Sequence, residues 1–156
     1  IDGIDELIFT PIPLKSKAPP YSPNREHPQP GDNIAIQVTE PTTGKRILYA
    51  PGLGTYEMHL EPYFQGSDCL FIDGTFWDED EMIRRGVGKK MASQMGHLHL
   101  GGPGGMVELL DRFPDQRRIL IHINNTNPIL NEQSPERRQL DQRNIEVAYD
   151  GMDIHV

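Results

Sequence analysis

Cysteine occurs once in the 156 residues, at Cys69, which excludes an internal disulfide and any cysteine-cluster metal site. With Leu70, Phe71 and Ile72 beside it, Cys69 reads as a buried small hydrophobe rather than a nucleophile, and a reducing, cytoplasmic setting fits. Long apolar runs are also lacking. None approaches the ~20 residues that span a bilayer, so membrane insertion is not indicated. Positive charge is in deficit: a net charge of −8 argues against nonspecific attraction to nucleic acid, which needs a basic face. An initiator methionine and a signal-like segment are missing before Ile1, which leads us to expect a processed product or a fragment. The glycine spacing of nucleotide loops is absent too; Pro51-Gly52-Leu53-Gly54 offers only a sharp turn or a close backbone approach.

What is present is a loop-rich α/β chain. It has 15 glycines and 14 prolines, and its length suits one domain with a sizeable core. Ile4 to Ile12 reads as a strand ended by Pro11 and Pro13. The proline-rich Lys15 to Asn33 follows as a long loop, with His27 exposed in it. Ile34, Ile36 and Val38 alternate with Ala35, Gln37 and Thr39, and Arg46 to Ala50 completes a hairpin. Tyr56 to Phe64 suits a short helix interrupted near Pro62, with His59 on its surface. Cys69 to Asp73 is a buried strand with a carboxylate at its end. Trp77 to Arg85 predicts a helix with a solvated acidic start at Asp78, Glu79, Asp80 and Glu81. Gly86 to Met95 reads as a flexible basic connection, and Gly105 to Phe113 as a helix. Ser134 and Pro135 open another that runs to about Arg143, before a last strand from Ile145 to Tyr149.

Three element ends carry the chemistry. Asp73 closes one strand, His97 lies in MGHLHLGGPGG, and His122 stands at the end of RRILIHINNTNPIL. They are 24 and 25 residues apart, so only the fold can bring them together. One carboxylate and two neutral imidazoles form a ligand set for Zn(II), Fe(II) or Mn(II), with positions left for water or substrate. His97 and His99, two apart on an extended segment, would point to one side and permit chelation. The alternatives stay open here: Asp73 before Gly74 suits a turn cap, and clustered Asn before Pro128 suits an Asx-type turn. Asn124, Asn125 and Thr126 would otherwise form a neutral rim that orients an amino-acid-like substrate.

The segments LFIDGTFWDEDEMIRRG, MGHLHLGGPGG, ILIHINNTNPIL and VAYDGMDI, with KAPPYSP and LYAPGLG, together resemble the pyrroloquinoline quinone biosynthesis protein B family. The resemblance implies a metallo-β-lactamase fold, an αββα sandwich related to ribonuclease Z. It also implies a role in making the quinone from a peptide-derived Glu-Tyr precursor, by metal-dependent hydroxylation of the tyrosine ring. Carriage of the finished cofactor toward the periplasm and a hydrolase activity of the same superfamily are the alternatives. By the same resemblance His97 matches a catalytic His near the metal, His122 a strand-end ligand, and Asp73 a ligand or a supporting carboxylate; His99 is incidental. The implied cofactor is a divalent metal, Zn or Fe.

The family's H-x-H-x-D-H metal-binding run is missing from these residues, and LYAPGLG carries no acid where relatives place a bridging Asp. The expectation is therefore a single partial domain over residues 1–156, the C-terminal half of the sandwich. Such a half would expose one sheet face, and so be poorly stable or associate as a homodimer, and be inactive alone.

Overall fold

The computed structural model describes residues 6–19, 21–25 and 27–156. In chain order the elements are β1 (Ile8–Pro13), β2 (Ile34–Thr39), β3 (Arg46–Ala50), α1 (Glu61–Gln65), β4 (Cys69–Asp73), α2 (Glu81–Arg84), α3 (Ala92–Met95), α4 (Met106–Leu110), β5 (Arg117–Ile121), α5 (Pro135–Asp141) and β6 (Ile145–Val147). The strands form one six-stranded sheet in sequence order. The first three are antiparallel; β3, β4, β5 and β6 are parallel, so their carboxyl ends share one edge. Ligand sites of open α/β sheets lie at such an edge.

Cross-strand register decides which face is covered. Ala50, Ile72, Leu120 and Val147 lie in one row, and Leu48 and Leu70 in the next, all on the same face. All six are buried and pack with Leu60, Phe64, Met106, Leu110 and Leu140 from the helical side. The row of Leu48 and Leu70 continues into Arg118, whose guanidinium donates to the carbonyls of Leu110 and Arg143, the ends of two helical segments. A cation at helix carbonyl ends satisfies acceptors that the helices leave open.

The opposite face carries Phe9, Ile36, Val38, Ile47, Tyr49 and Phe71. All are only half-buried or exposed, Phe9 at 52% and Tyr49 at 44%. An apolar stripe of this kind marks a surface that another layer covers. The chain is accordingly expected to bind a hydrophobic dye and to self-associate in sedimentation. The double replacement of Phe9 and Tyr49 by serine should reduce both; monodispersity without dye binding would show the stripe to be harmless.

Several local expectations shift. Ile4 and Asp5 lie outside the described residues, and the first strand runs on through Pro11 to Pro13. It tolerates both prolines because β1 is an edge strand, where a missing N–H need not break a ladder. Pro62 does not interrupt a helix but sits in the first turn of α1, after a 3-10 turn at Met58–Leu60. The acidic segment is helical only from Glu81, which is buried and accepts from the Trp77 amide, so it is no solvated helix start. Asp78 and Asp80 pair with Arg84, and Glu79 takes hydrogen bonds from Ser93. The connection expected to be flexible contains α3. Ser134 caps α5 as read from sequence, accepting from Arg137 N at 2.9 Å. Cys69 is fully buried, and that burial raises its thiol to about 11, which makes it a poor nucleophile.

Candidate metal centre

The centre is assembled at the carboxyl ends of β4 and β5. Asp73, the last residue of β4, is fully buried, and its Oδ1 accepts the Thr75 amide at 3.0 Å and the Thr75 hydroxyl. This is the Asx turn that an Asp-Gly-Thr sequence favours. Gly74 makes it possible to bring the two strand ends together. Its N–H donates to the Ile121 carbonyl at 2.7 Å, and an added Cβ would lie 3.0 Å from that oxygen and from Leu120 Cβ.

β5 ends at Ile121, so His122 does not continue its alternation. Its φ of 55° turns the chain out of the strand and over the end of β4. A non-glycine residue in the left-handed region costs free energy, and such strain is held where surrounding contacts over-determine it. Here the Asn124 amide donates to the Thr75 carbonyl at 3.1 Å. The buried Asn127 side chain donates to the carbonyls of Gly74 and Thr75 and accepts from Ile129 N.

His97 arrives from the far side of the site, after α3. Its ring Nδ1 is 2.6 Å from Asp73 Oδ2. The His97 and His122 rings lie 5.2 Å apart between centroids, and Phe76 meets His97 edge-on at 5.9 Å. The segment is seated by backbone contact: Leu98 N donates to the Leu53 carbonyl, and a Cβ on Gly54 would stand 2.7 Å from the Gly96 carbonyl. Close backbone packing is therefore what Gly54 serves in Pro51-Gly52-Leu53-Gly54.

The predicted trio thus comes together. Donor atoms of Asp73, His97 and His122 lie within 4.8 Å of one another. Metal bonds of ~2.1 Å place two donors on one ion at most ~4.2 Å apart, so a small side-chain adjustment suffices and the donor chemistry fits a divalent ion. His122 Nδ1 is 3.7 Å from Asp73 Oδ1. Asp73 holds the protonated imidazole of His122 favoured, so its pKa lies above the ordinary histidine value despite the opposing effect of burial, with a further contribution from the Pro51 carbonyl.

His99 goes elsewhere. The stretch from 97 to 99 is not a strand, so spacing by two does not aim both rings at one ion; His99 Nδ1 sits 3.5 Å from Glu79. His59 is exposed and its Nε2 is 2.9 Å from the Pro13 carbonyl, and His27 is exposed as well. The polar run after His122 is divided in its attachments. Asn124 donates to Thr126 and to the Met82 sulfur, Thr126 donates to buried Glu81, and Asn125 is exposed. Sequence reasoning gave no site role to Thr75, Asn127 or Glu81. For Thr75 a signal was present, an Asx turn whose third residue carries a hydroxyl. A cleft of about 630 Å³ is lined by Gly54 and Gly96, with Lys15, Lys17, Arg25 and His59 along its wall, and includes none of the trio.

Comparison with known proteins places the fold in a family. Residues 3–123 match the family model described as a beta-lactamase superfamily domain. The chain belongs to the β-lactamase superfamily. Within it, the chain is 57% identical over its whole length to coenzyme PQQ synthesis protein B of Pseudomonas fluorescens SBW25, covering 52% of that protein. It is 60% identical over 148 residues to the protein of the same name from P. fluorescens Pf0-1, covering 49% of it. A crystal structure of Zn(2+)-bound PqqB from Methylobacterium extorquens superposes with a TM-score of 0.89 at 32% identity, over all of this chain and 52% of that one. The resemblance read from the sequence motifs is therefore to the right family, and the fold is part of a metallo-β-lactamase-type domain. The chain spans about half the length of these relatives.

Proposed function

We propose that this chain supplies one wall of the metal centre of an enzyme in coenzyme PQQ biosynthesis, with Asp73, His97 and His122 gathered about a divalent ion, zinc or iron. The observation that carries the reading is a fully buried carboxylate with two imidazoles at the carboxyl edge of the parallel part of the sheet. Similarity to proteins named for PQQ synthesis, and to a zinc-bound one, supports the pathway and the metal. The substrate class is a small peptide-derived precursor such as a Glu-Tyr unit, and the reaction a hydroxylation of its tyrosine ring. A bound ion would supply Lewis acidity, or with iron the capacity to activate dioxygen.

This chain's residues would do the rest. Asp73 orients His97 through a 2.6 Å contact between Oδ2 and the ring Nδ1, which would hold the ring in place beside the ion. His122, half exposed on its turn, faces the open side. Of the polar rim, the exposed Asn125 would meet substrate, while Asn124 and Thr126 stiffen the loop against Glu81 and Met82. Titration of the chain with Zn(II) or Fe(II) tests the centre. His122→Ala should lower the affinity at least tenfold; binding untouched by that change would sink the ligand assignment. Tight metal-free binding of the finished quinone would instead favour a carrier.

A further inference from the structure

The Thr75 hydroxyl touches every member of the proposed centre. Its Oγ1 is in hydrogen-bond contact with Asp73 Oδ1, 3.1 Å from His97 Nδ1 and 2.9 Å from His122 Nδ1. It is 6% exposed, and its backbone is fixed by the Asx turn and by Asn127. With Asp73 ionised, proton accounting at this oxygen has one consistent solution. A hydroxyl has one hydrogen to give and two lone pairs with which to accept. An ionised carboxylate only accepts, so the hydroxyl hydrogen lies toward Asp73. Both contacts to imidazole must then be accepted by Thr75, which requires a proton on Nδ1 of each ring. His97 Nδ1–H is shared with Asp73 Oδ2, also an acceptor. The opposite assignment would set a ring lone pair against an oxygen lone pair inside a buried cluster, which is costly.

We propose that Thr75 is a positioning residue: with Asp73 it locks His97 and His122 in the Nδ1–H tautomer, leaving Nε2 of each ring as the lone pair offered to the metal. The inference rests on the metal-centre reading and deepens it. Asp73 becomes the carboxylate that orients imidazoles rather than a ligand, an arrangement by which outer partners fix the tautomer and basicity of metal-bound histidines. One hydroxyl serves two rings that reach the site from different parts of the chain. His122 depends on it most, since its own distance to Asp73 is 3.7 Å, too long for a hydrogen bond.

The test is long-range proton–nitrogen correlation spectroscopy of the metal-free chain at alkaline pH, where the imidazoles are neutral, paired with zinc titration. Wild type should show the Nδ1–H pattern for both rings. Thr75→Val, which keeps the shape and removes the hydroxyl, should leave His97 on Asp73 and switch His122 to Nε2–H, with zinc affinity down about 10- to 100-fold. Thr75→Ser should restore both readouts, a rescue that a merely structural threonine would not show. An Nε2–H ring at His122 in wild type overturns the proposal whether or not the valine variant folds. So does a folded Thr75→Val chain with unchanged tautomers and affinity. Nδ1–H rings in a wild-type chain that takes up no zinc overturn the metal-centre reading instead, and leave the tautomer assignment standing.

Discussion

Asp73→Ala is expected to destabilise the metal-free chain by about 3 kcal/mol and to lower its zinc affinity about 10- to 100-fold. The carboxylate is fully buried and receives the Thr75 amide, the Thr75 hydroxyl and His97 Nδ1. Removing it leaves buried donors without acceptors, and each unmet group of this kind costs ~1–3 kcal/mol. It also frees two rings that the turn had oriented. Urea unfolding reads the first effect and calorimetric titration the second. Asp73→Asn separates charge from shape: its amide oxygen can still accept from Thr75 N, while its NH2 would face the His97 Nδ1–H, so affinity should fall with a smaller loss of stability. An Asp73→Ala chain as stable as wild type would contradict the role given to the buried carboxylate. A loss of affinity far beyond 100-fold would mark Asp73 as a direct ligand.

Acidification is expected to expel the metal, beginning above the ordinary histidine range. Proton and metal compete for the same ring, and each proton displaced makes the apparent affinity fall about tenfold per pH unit below the pKa concerned. His122 is raised above its usual 6.5 because Asp73 favours its protonated form, against burial, so the competition starts early. The sign for folding is opposite. A raised folded-state pKa contributes stability that is fully present below the unfolded value of ~6.5 and is lost as pH rises through the folded value. Metal-free stability and metal affinity should therefore slope in opposite directions across neutral pH, the first weakly because the ring is half exposed to solvent. Zinc titrations from mildly acidic to mildly alkaline buffer check this, and a flat affinity would remove His122 from the centre.

How much of this was legible beforehand differs by element. The hairpin, the buried strand ending in Asp73, the Ser134 cap and the strand before His122 were readable because each rests on a local rule of alternation, capping or an apolar run. Element ends were not. β1 runs through two prolines because it is an edge strand, which depends on what lies beside it. The acidic segment buries Glu81 because Thr126, from a distant loop, donates to it. Spacing by two alone would have paired His99 with His97; the family resemblance set His99 aside, and the non-strand chain between them sends its ring to Glu79.

The sequence by itself determined the class of the fold, the family and the residue types of the centre. These are written in composition, in short-range periodicity and in motifs carried whole. Only the tertiary structure decided which of them meet. Asp73, His97 and His122 are separated by some two dozen residues each, and what joins them is parallel pairing of β4 with β5, a left-handed turn at His122 and a glycine that admits a carbonyl. Thr75 acquired its place at the hub in the same way, since a hydroxyl has no visible function until the groups that share its one proton and two lone pairs are brought to it.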